Sequence, residues 1–413
     1  MSDATPEACP DDSADGAAAR GLAVVRLRPR ADARALRHGF PWVYADQLVT
    51  DRRTQALARG AFARLEDSER QPLGLVTVNT ASKIIARMLD RDPEAVIDRD
   101  WIAARIAAAL ALRTRLYDAP FYRLVHAEAD GLPGVVIDRF GDAAVIQPNA
   151  AWAEAMIDDL AGALVALTGV AVVVKNATGR ARALEGLDEE TAVLRGALSG
   201  PVAVPMNGAV YMADLTGGQK TGLFFDQRPN HAFVQRLAPG ARVLDVFAHV
   251  GGFALAALAA GAGSALAVDS SAPALALAEA GAAASGTGLQ TRRGDAFAVM
   301  EALAAEGAAF DLVVCDPPAF APSKPALDAG LRAYERVARL AAGLVAPGGY
   351  LVLCSCSHAA DLAAFRGASA RGIGRAGRQA QLIHTGFAGP DHPQLPQLAE
   401  SGYLKALVFR LVP

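Results

Sequence analysis

Four short apolar runs in the C-terminal half, Val243–Phe247, Leu266–Asp269, Leu312–Asp316 and Tyr350–Cys354, are separated by Ala-rich stretches of helical length. Each run is too short for a helix and too continuous for a strand with one wet face, so it reads as a strand buried on both sides. From Ala209 onward such strands alternate with helices, which calls for a parallel sheet covered on both faces. Breakers support the last two boundaries: Gly307 precedes the third run and Pro347-Gly348-Gly349 the fourth. The fold class of this half is therefore α/β, a doubly wound, Rossmann-like sheet.

Upstream the pattern changes twice. Between Leu22 and about Arg91, short apolar stretches such as Ala23-Val24-Val25, Ala61-Phe62-Ala63 and Leu73–Val78 alternate with charged or Gly/Pro turns, which predicts a small β module. Trp101–Tyr117 carries Ile102, Ile106 and Leu110 at a spacing of four, a helical signature. Gly134–Phe140 and Ala143–Gln147 flank Gly141-Asp142 as a hairpin, and an Ala-rich helix and a strand at Ala171–Lys175 follow. Pro201 and Pro205 punctuate an expected linker. The expected division is a disordered acidic tail at 1–20, a β module at 21–95, a central α+β domain at 96–204 and the doubly wound domain at 205–413.

The formal net charge of −3 supplies no global field to draw the chain to nucleic acid, so a polyanion would have to be held by a local patch. One candidate is residues 21–95, where twelve Arg and Lys83 stand against nine acids, a net of +4; ordinary solvated arginines explain that count equally well. Residues 1–20 hold five acids and one Arg, with no basic or apolar leader pattern. The four cysteines, Cys9, Cys315, Cys354 and Cys356, form neither a disulfide framework nor a CxxC pair, which suits a reducing, cytoplasmic setting without a metal. Val246–Val268 lacks formal charge but is mostly Ala with four glycines, a composition that argues against a membrane span.

In a doubly wound sheet the ligand sits outside the carboxyl ends of the strands. That places Phe247 to Phe253, with Ala248 and Gly251, in the loop that approaches it, just after the strand that carries Asp245. Asp269, 24 residues after Asp245 and followed by Ser270, stands where an acid accepts hydrogen bonds from ribose hydroxyls, and Asp295-Ala296 could meet an adenine amino group. Each aspartate alone is more often a cap or turn former; their order and spacing favour a site. The run is not GxGxxG, and S-adenosyl-L-methionine has no pyrophosphate to cradle, so a methyl donor fits better than NAD.

The chemistry would lie at the next two strand ends. Asp316-Pro317-Pro318-Ala319-Phe320 is a stiff exit that presents an acid beside an aromatic ring, suited to bonding and stacking a planar base. Alternatively it is only a rigid turn. Asp-Pro-Pro-aromatic also serves amine methylation, so Cys356 makes the choice. Carbon 5 of cytosine is a poor nucleophile until a thiolate adds at carbon 6, whereas an exocyclic amine needs no thiol. Cys315 and Cys354 read as small core residues, while Cys356 lies past the strand among Ser355, Ser357 and His358, in a setting expected to be polar. His358 can lower the thiol pKa or carry a proton, although a surface turn histidine is the commoner case.

These residues together resemble the RlmI-type large-subunit rRNA cytosine-C5 methyltransferases. The resemblance spans Leu22–Pro413. It is carried by His38–Tyr44, Glu128–Gly134 with Ile137–Gly141, Gly218–Gly222 through Asp226-Gln227-Arg228, Gly251–Ala254, Asp316-Pro317-Pro318 and Ser355-Cys356-Ser357. It implies an N-terminal PUA RNA-binding module, a central α+β domain and a class I methyltransferase domain. It also implies cytosine methylation in 23S rRNA with Cys356 as nucleophile, and a Lys220–Arg228 segment whose Phe225, Asp226 and Gln227 line the cofactor. Two departures stand out: Ala319 replaces a frequent Lys or polar residue, and Ala248-His249-Val250 replaces a Ser-Tyr-Thr-like run. The competing expectations are a guanine or exocyclic-amine rRNA methyltransferase using Asp316 and Phe320, and a non-catalytic RNA-binding ribosome-assembly factor. The partner would be 23S rRNA or a large-subunit assembly intermediate, with a homodimer left open.

Overall fold

The computed structural model describes residues 21–217 and 222–412. The expectations for the tail at 1–20, for Cys9 and for Gly218–Thr221, including Lys220, lie outside the described residues. The chain divides into two compact units, one holding the described residues up to His38 with Trp42–Ala95, the other Gly39–Pro41 with everything from Val96 onward.

The first unit is a five-stranded sheet of β1 (Ala23–Arg26), β2 (Trp42–Tyr44), β3 (Ala61–Glu66), β4 (Pro72–Val78) and β5 (Ile84–Asp90), in the order β1-β3-β4-β5-β2. Its interior is made by Val25, Val43, Leu65, Val76 and Ile85, all sealed from solvent. The short apolar runs of the sequence are these strands. The register of β3 against β4, from Ala61↔Val78 onward, puts Ala63 and Leu65 on the buried side by simple alternation.

In the second unit the helix Arg99–Leu116 starts on Asp98, whose carboxylate accepts the Trp101 N–H, and it buries Ile102 and Ile106 as their spacing predicts. A second five-stranded sheet follows: β6 (Phe121–His126), β7 (Val135–Phe140), β8 (Ala143–Pro148), β9 (Val172–Ala177) and β10 (Glu190–Arg195), ordered β10-β9-β8-β7-β6. β7 and β8 are the expected hairpin, with Phe140 opposite Ala143 and Gly141 at φ +68 in the turn.

The expected linker at Pro201 and Pro205 is a correction. Val202–Met206 is a strand, β11, paired antiparallel with β12 (Ala209–Ala213), and Pro205 faces Val210 across the ribbon. The two strands form a sheet by themselves, so each is an edge, where a residue without an N–H is tolerated. The parallel region accordingly begins after β12 rather than at Ala209.

The remaining strands are β13 (Arg242–Val246), β14 (Ser264–Asp269), β15 (Gln290–Arg293), β16 (Phe310–Cys315), β17 (Val345–Ser355), β18 (Ala380–Gly386) and β19 (Lys405–Leu411), ordered β15-β14-β13-β16-β17-β19-β18. β13 through β17 are mutually parallel, and β19 runs antiparallel to both neighbours. Helices Ala296–Ala305, Leu327–Leu344 and Leu362–Arg375 cover one face, around Met300, Val313, Tyr334 and Phe365. Helices Arg228–Gln235, Gly252–Ala259 and Ala272–Ala284 carry the opposing core around Val234, Ala254, Leu275 and Val352. The strand order reverses between β13 and β16, which opens a crevice at their carboxyl ends.

Candidate active site

At that crevice β13 ends on Val246, and Phe247 and His249 turn the chain at φ +64 and +50 before Gly251, at φ +78, leads into the helix Gly252–Ala259. Non-glycine residues in the left-handed region are costly and persist where the surroundings enforce them. Two carboxylates do so here. Asp245 Oδ2 accepts the Ala254 N–H at 2.9 Å, and Asp269 accepts the His249 N–H at 2.9 Å and the Ser271 N–H at 2.8 Å. Asp269 therefore clamps the loops after β13 and β14 together. Its two oxygens each accept one backbone donor, and each keeps a lone pair for a diol.

Asp245 is 1% exposed, and its other oxygen has no hydrogen-bond partner. Burial pushes its carboxyl up to about 7, against the opposing bonds from Ala254 and Phe253. It shapes the loop from beneath. Ala248 is buried, Ser270 is exposed, and Asp295 caps the helix Ala296–Ala305 by accepting the Ala298 N–H at 3.0 Å, with Ala296 buried behind it.

An aromatic wall completes this end of the crevice. Half-buried Phe247, Phe297 and Phe320 form a triangle with centroids 6.3 to 6.4 Å apart. Phe297 was not among the residues expected from sequence; its signal was its place directly after Asp295-Ala296. A positive-φ loop, a carboxylate with lone pairs to spare and an apolar aromatic wall are a donor set that fits an adenosine-containing ligand.

The segment Phe225–Gln227 divides its labour. The Phe225 ring packs on Phe140 at 5.2 Å inside the core, so its side chain does not line the crevice. Asp226 accepts the Tyr403 hydroxyl at 2.6 Å. Gln227 donates from Nε2 to Asp316 Oδ2 at 2.9 Å, while its own oxygen accepts from Asn230 Nδ2 at 2.7 Å. That relay fixes which way the Gln227 amide faces and thereby orients the Asp316 carboxylate.

Asp316 and Cys356 leave adjacent parallel strands at the same edge of the sheet, following the register Cys315↔Leu353. None of the described cysteines is in a disulfide. Cys315 and Cys354 are sealed, and burial drives both thiols up, which makes them inert core residues. Cys356 is half-buried. The serines around it differ from expectation: Ser355 and Ser357 are 0% exposed and bond Tyr334, Ser355 donating to its hydroxyl at 2.9 Å and Ser357 sharing a 2.7 Å contact with it. Strand alternation then turns Cys356 the other way. Among the described residues, Lys405, Tyr403 and Tyr334 are near enough for charge on the Cys356 sulfur to bias their protonation. His358 is exposed.

Comparison with known proteins agrees with this geometry. Residues 167–410 match the family model of S-adenosylmethionine-dependent methyltransferases, and residues 25–91 match a PUA-like domain. Ribosomal RNA large subunit methyltransferase I of Shewanella amazonensis is 34% identical over 394 residues, covering 94% of this chain and 99% of that protein. Its namesake from Aeromonas salmonicida is 36% identical over 337 residues, covering 80% and 85%. A Streptococcus mutans structure described as a SAM-dependent methyltransferase superposes with a TM-score of 0.79 at 18% identity, over 94% of this chain and 100% of that one, and shares the fold. Another methyltransferase structure, complexed with SAH, gives a TM-score of 0.80 at 18% identity, over 94% of this chain and 100% of that one. The chain belongs to the family of S-adenosylmethionine-dependent methyltransferases with an N-terminal PUA-like domain that includes these ribosomal RNA large subunit methyltransferase I proteins.

Proposed function

We propose that this protein methylates carbon 5 of a cytosine in large-subunit rRNA through a covalent adduct at Cys356. The supporting observation is the segment Ser355-Cys356-Ser357, in which both hydroxyls are tied to Tyr334 while the half-buried cysteine follows the strand next to the one that ends before Asp316. Bound S-adenosylmethionine supplies an electrophilic methyl group on sulfur. Asp269, the Phe247–Phe297–Phe320 wall and the Gly251 loop would hold it, with Asp245 and the Phe225–Gln227 backbone behind. The Cys356 thiolate adds to carbon 6 of the base, and the electron pair displaced toward carbon 5 makes that carbon the nucleophile. After the new carbon–carbon bond forms, loss of the carbon 5 proton restores the double bond and expels the thiolate. Asp316, held by Gln227, accepts the exocyclic N–H of the base.

In this reading residues 21–95 grip the RNA backbone, the β6–β10 sheet forms the central part and the β13–β19 sheet carries methyl transfer. A base must leave its stack to reach the crevice, so unpaired rRNA or an assembly intermediate is the substrate. Among the described residues no helix is long and apolar enough to cross a membrane, and no cluster of metal-ligating side chains occurs. The test is Cys356→Ala: it should bind S-adenosylmethionine like the parent yet leave no 5-methylcytidine in rRNA by nucleoside mass spectrometry. Undiminished methylation, or a methylated guanine in its place, overturns the assignment.

A further inference from the structure

We infer that Lys405 is a positioning residue that holds Cys356 as a thiolate; this rests on the covalent reading above. Lys405 opens β19 opposite Ser355 of β17, one residue before the thiol, and is 4% exposed. Its ammonium donates to the carbonyls of Ser357 and Ala360, each at 2.7 Å, so it lies directly beneath the turn that carries Cys356. Those acceptors are neutral. Among the described residues no carboxylate makes an ion pair with Lys405. A buried cation without a counter-ion is costly: burial lowers the Lys405 pKa, and negative charge at the Cys356 sulfur and then at Asp361 opposes that shift.

Among the described residues, the other ionisable groups near the thiol are engaged elsewhere or exposed. Tyr334, from the helix Leu327–Leu344, is committed to Ser355 and Ser357, and Tyr403 donates to Asp226, with Arg123 behind it already bound to Asp138. Burial raises both phenols, so they stay neutral beside the sulfur. His358 points to solvent from an exposed position. A thiolate at Cys356 therefore offsets the buried Lys405 ammonium, and the ammonium lowers the proton affinity of the thiol in return. The Ser357 and Ala360 carbonyls fix the ammonium in place, so the effect is set before substrate arrives.

The experiment is the pH dependence of Cys356 alkylation by iodoacetamide, followed by peptide mass mapping in a Cys9→Ser background. Lys405→Met should raise the reaction midpoint by about one unit or more, the effect of removing a nearby opposite charge, and Lys405→Arg should keep it low. The pH profile of methyl transfer should move with it. An unchanged midpoint in Lys405→Met overturns the inference. Should that variant not fold, the parent protein decides: a midpoint as high as that of a free peptide spanning residues 353–359 also overturns it. Failure of Cys356→Ala to lose transfer would sink the covalent reading instead, whatever the midpoint.

Discussion

The buried carboxyl of Asp245 gives the cofactor loop a pH dependence whose size follows from the structure. Burial raises it from 3.8 to about 7, so the folded chain keeps a proton there that the unfolded chain releases near pH 4. Its contribution to stability is fully present below about pH 4 and is lost as pH rises through about 7. Roughly three pH units at about 1.4 kcal/mol each amount to about 4 kcal/mol between acid and mildly alkaline conditions. Asp245→Asn removes the titration, while its amide oxygen can still accept the Ala254 N–H. Urea unfolding of the cofactor-free protein at pH 5 and pH 8 isolates the effect. The parent should lose on the order of 3 kcal/mol more than the variant across that interval. A difference between the two proteins that stays constant within about 1 kcal/mol would refute the assignment of a raised carboxyl.

Two further substitutions probe the relay and the frame. Gln227→Leu removes the donor to Asp316 and leaves Asn230 Nδ2 only its longer bond to the Phe387 carbonyl; a hydrogen bond to a charged group is worth about 1.5–3 kcal/mol, so kcat/KM for RNA should fall roughly tenfold to a hundredfold, with S-adenosylmethionine affinity by calorimetry unchanged. A loss smaller than about threefold would separate Gln227 from the chemistry. Arg113→Met should destabilise the protein by about 3–5 kcal/mol, because the 0% exposed guanidinium meets Asp130 through two bonds of 2.6 and 2.7 Å and also caps the Arg123 and Asp391 carbonyls. A shift in the urea midpoint worth under about 1 kcal/mol would contradict that.

What the sequence made legible was what local pattern controls. The buried strands β13, β14, β16 and β17 announce themselves because a strand covered on both faces must be apolar throughout. The β7–β8 hairpin is legible because Gly141 supplies the turn. Pro205 misled because a proline excludes a central strand but not an edge, and which strands are edges is decided by tertiary pairing. At the site, Cys356 and Asp316 stood out by position, yet the role of the flanking serines did not. Their partner Tyr334 comes from a helix more than twenty residues upstream, and nothing in Ser-Cys-Ser says which hydroxyl points inward. Lys405 left one faint sign, a lone charge in the otherwise apolar Leu404–Phe409, and Gln227 stood out only through the resemblance of its segment, since its bond to Asp316, 89 residues away, has no local signature.

The Arg113 cluster also constrains when this protein can become itself. His126 packs against His392 with tilted rings 5.0 Å apart, the Arg123 N–H reaches the Asp391 carboxylate, and Arg113 donates to the Asp391 carbonyl 278 residues downstream. During synthesis the central sheet would emerge with the Arg113 and Arg123 N–H donors still waiting for acceptors on a segment near the far end of the chain. Nascent chains stalled before Asp391 should therefore be readily cleaved by protease at the Arg99–Leu116 helix, and protection should arrive in one step once that last stretch clears the exit tunnel.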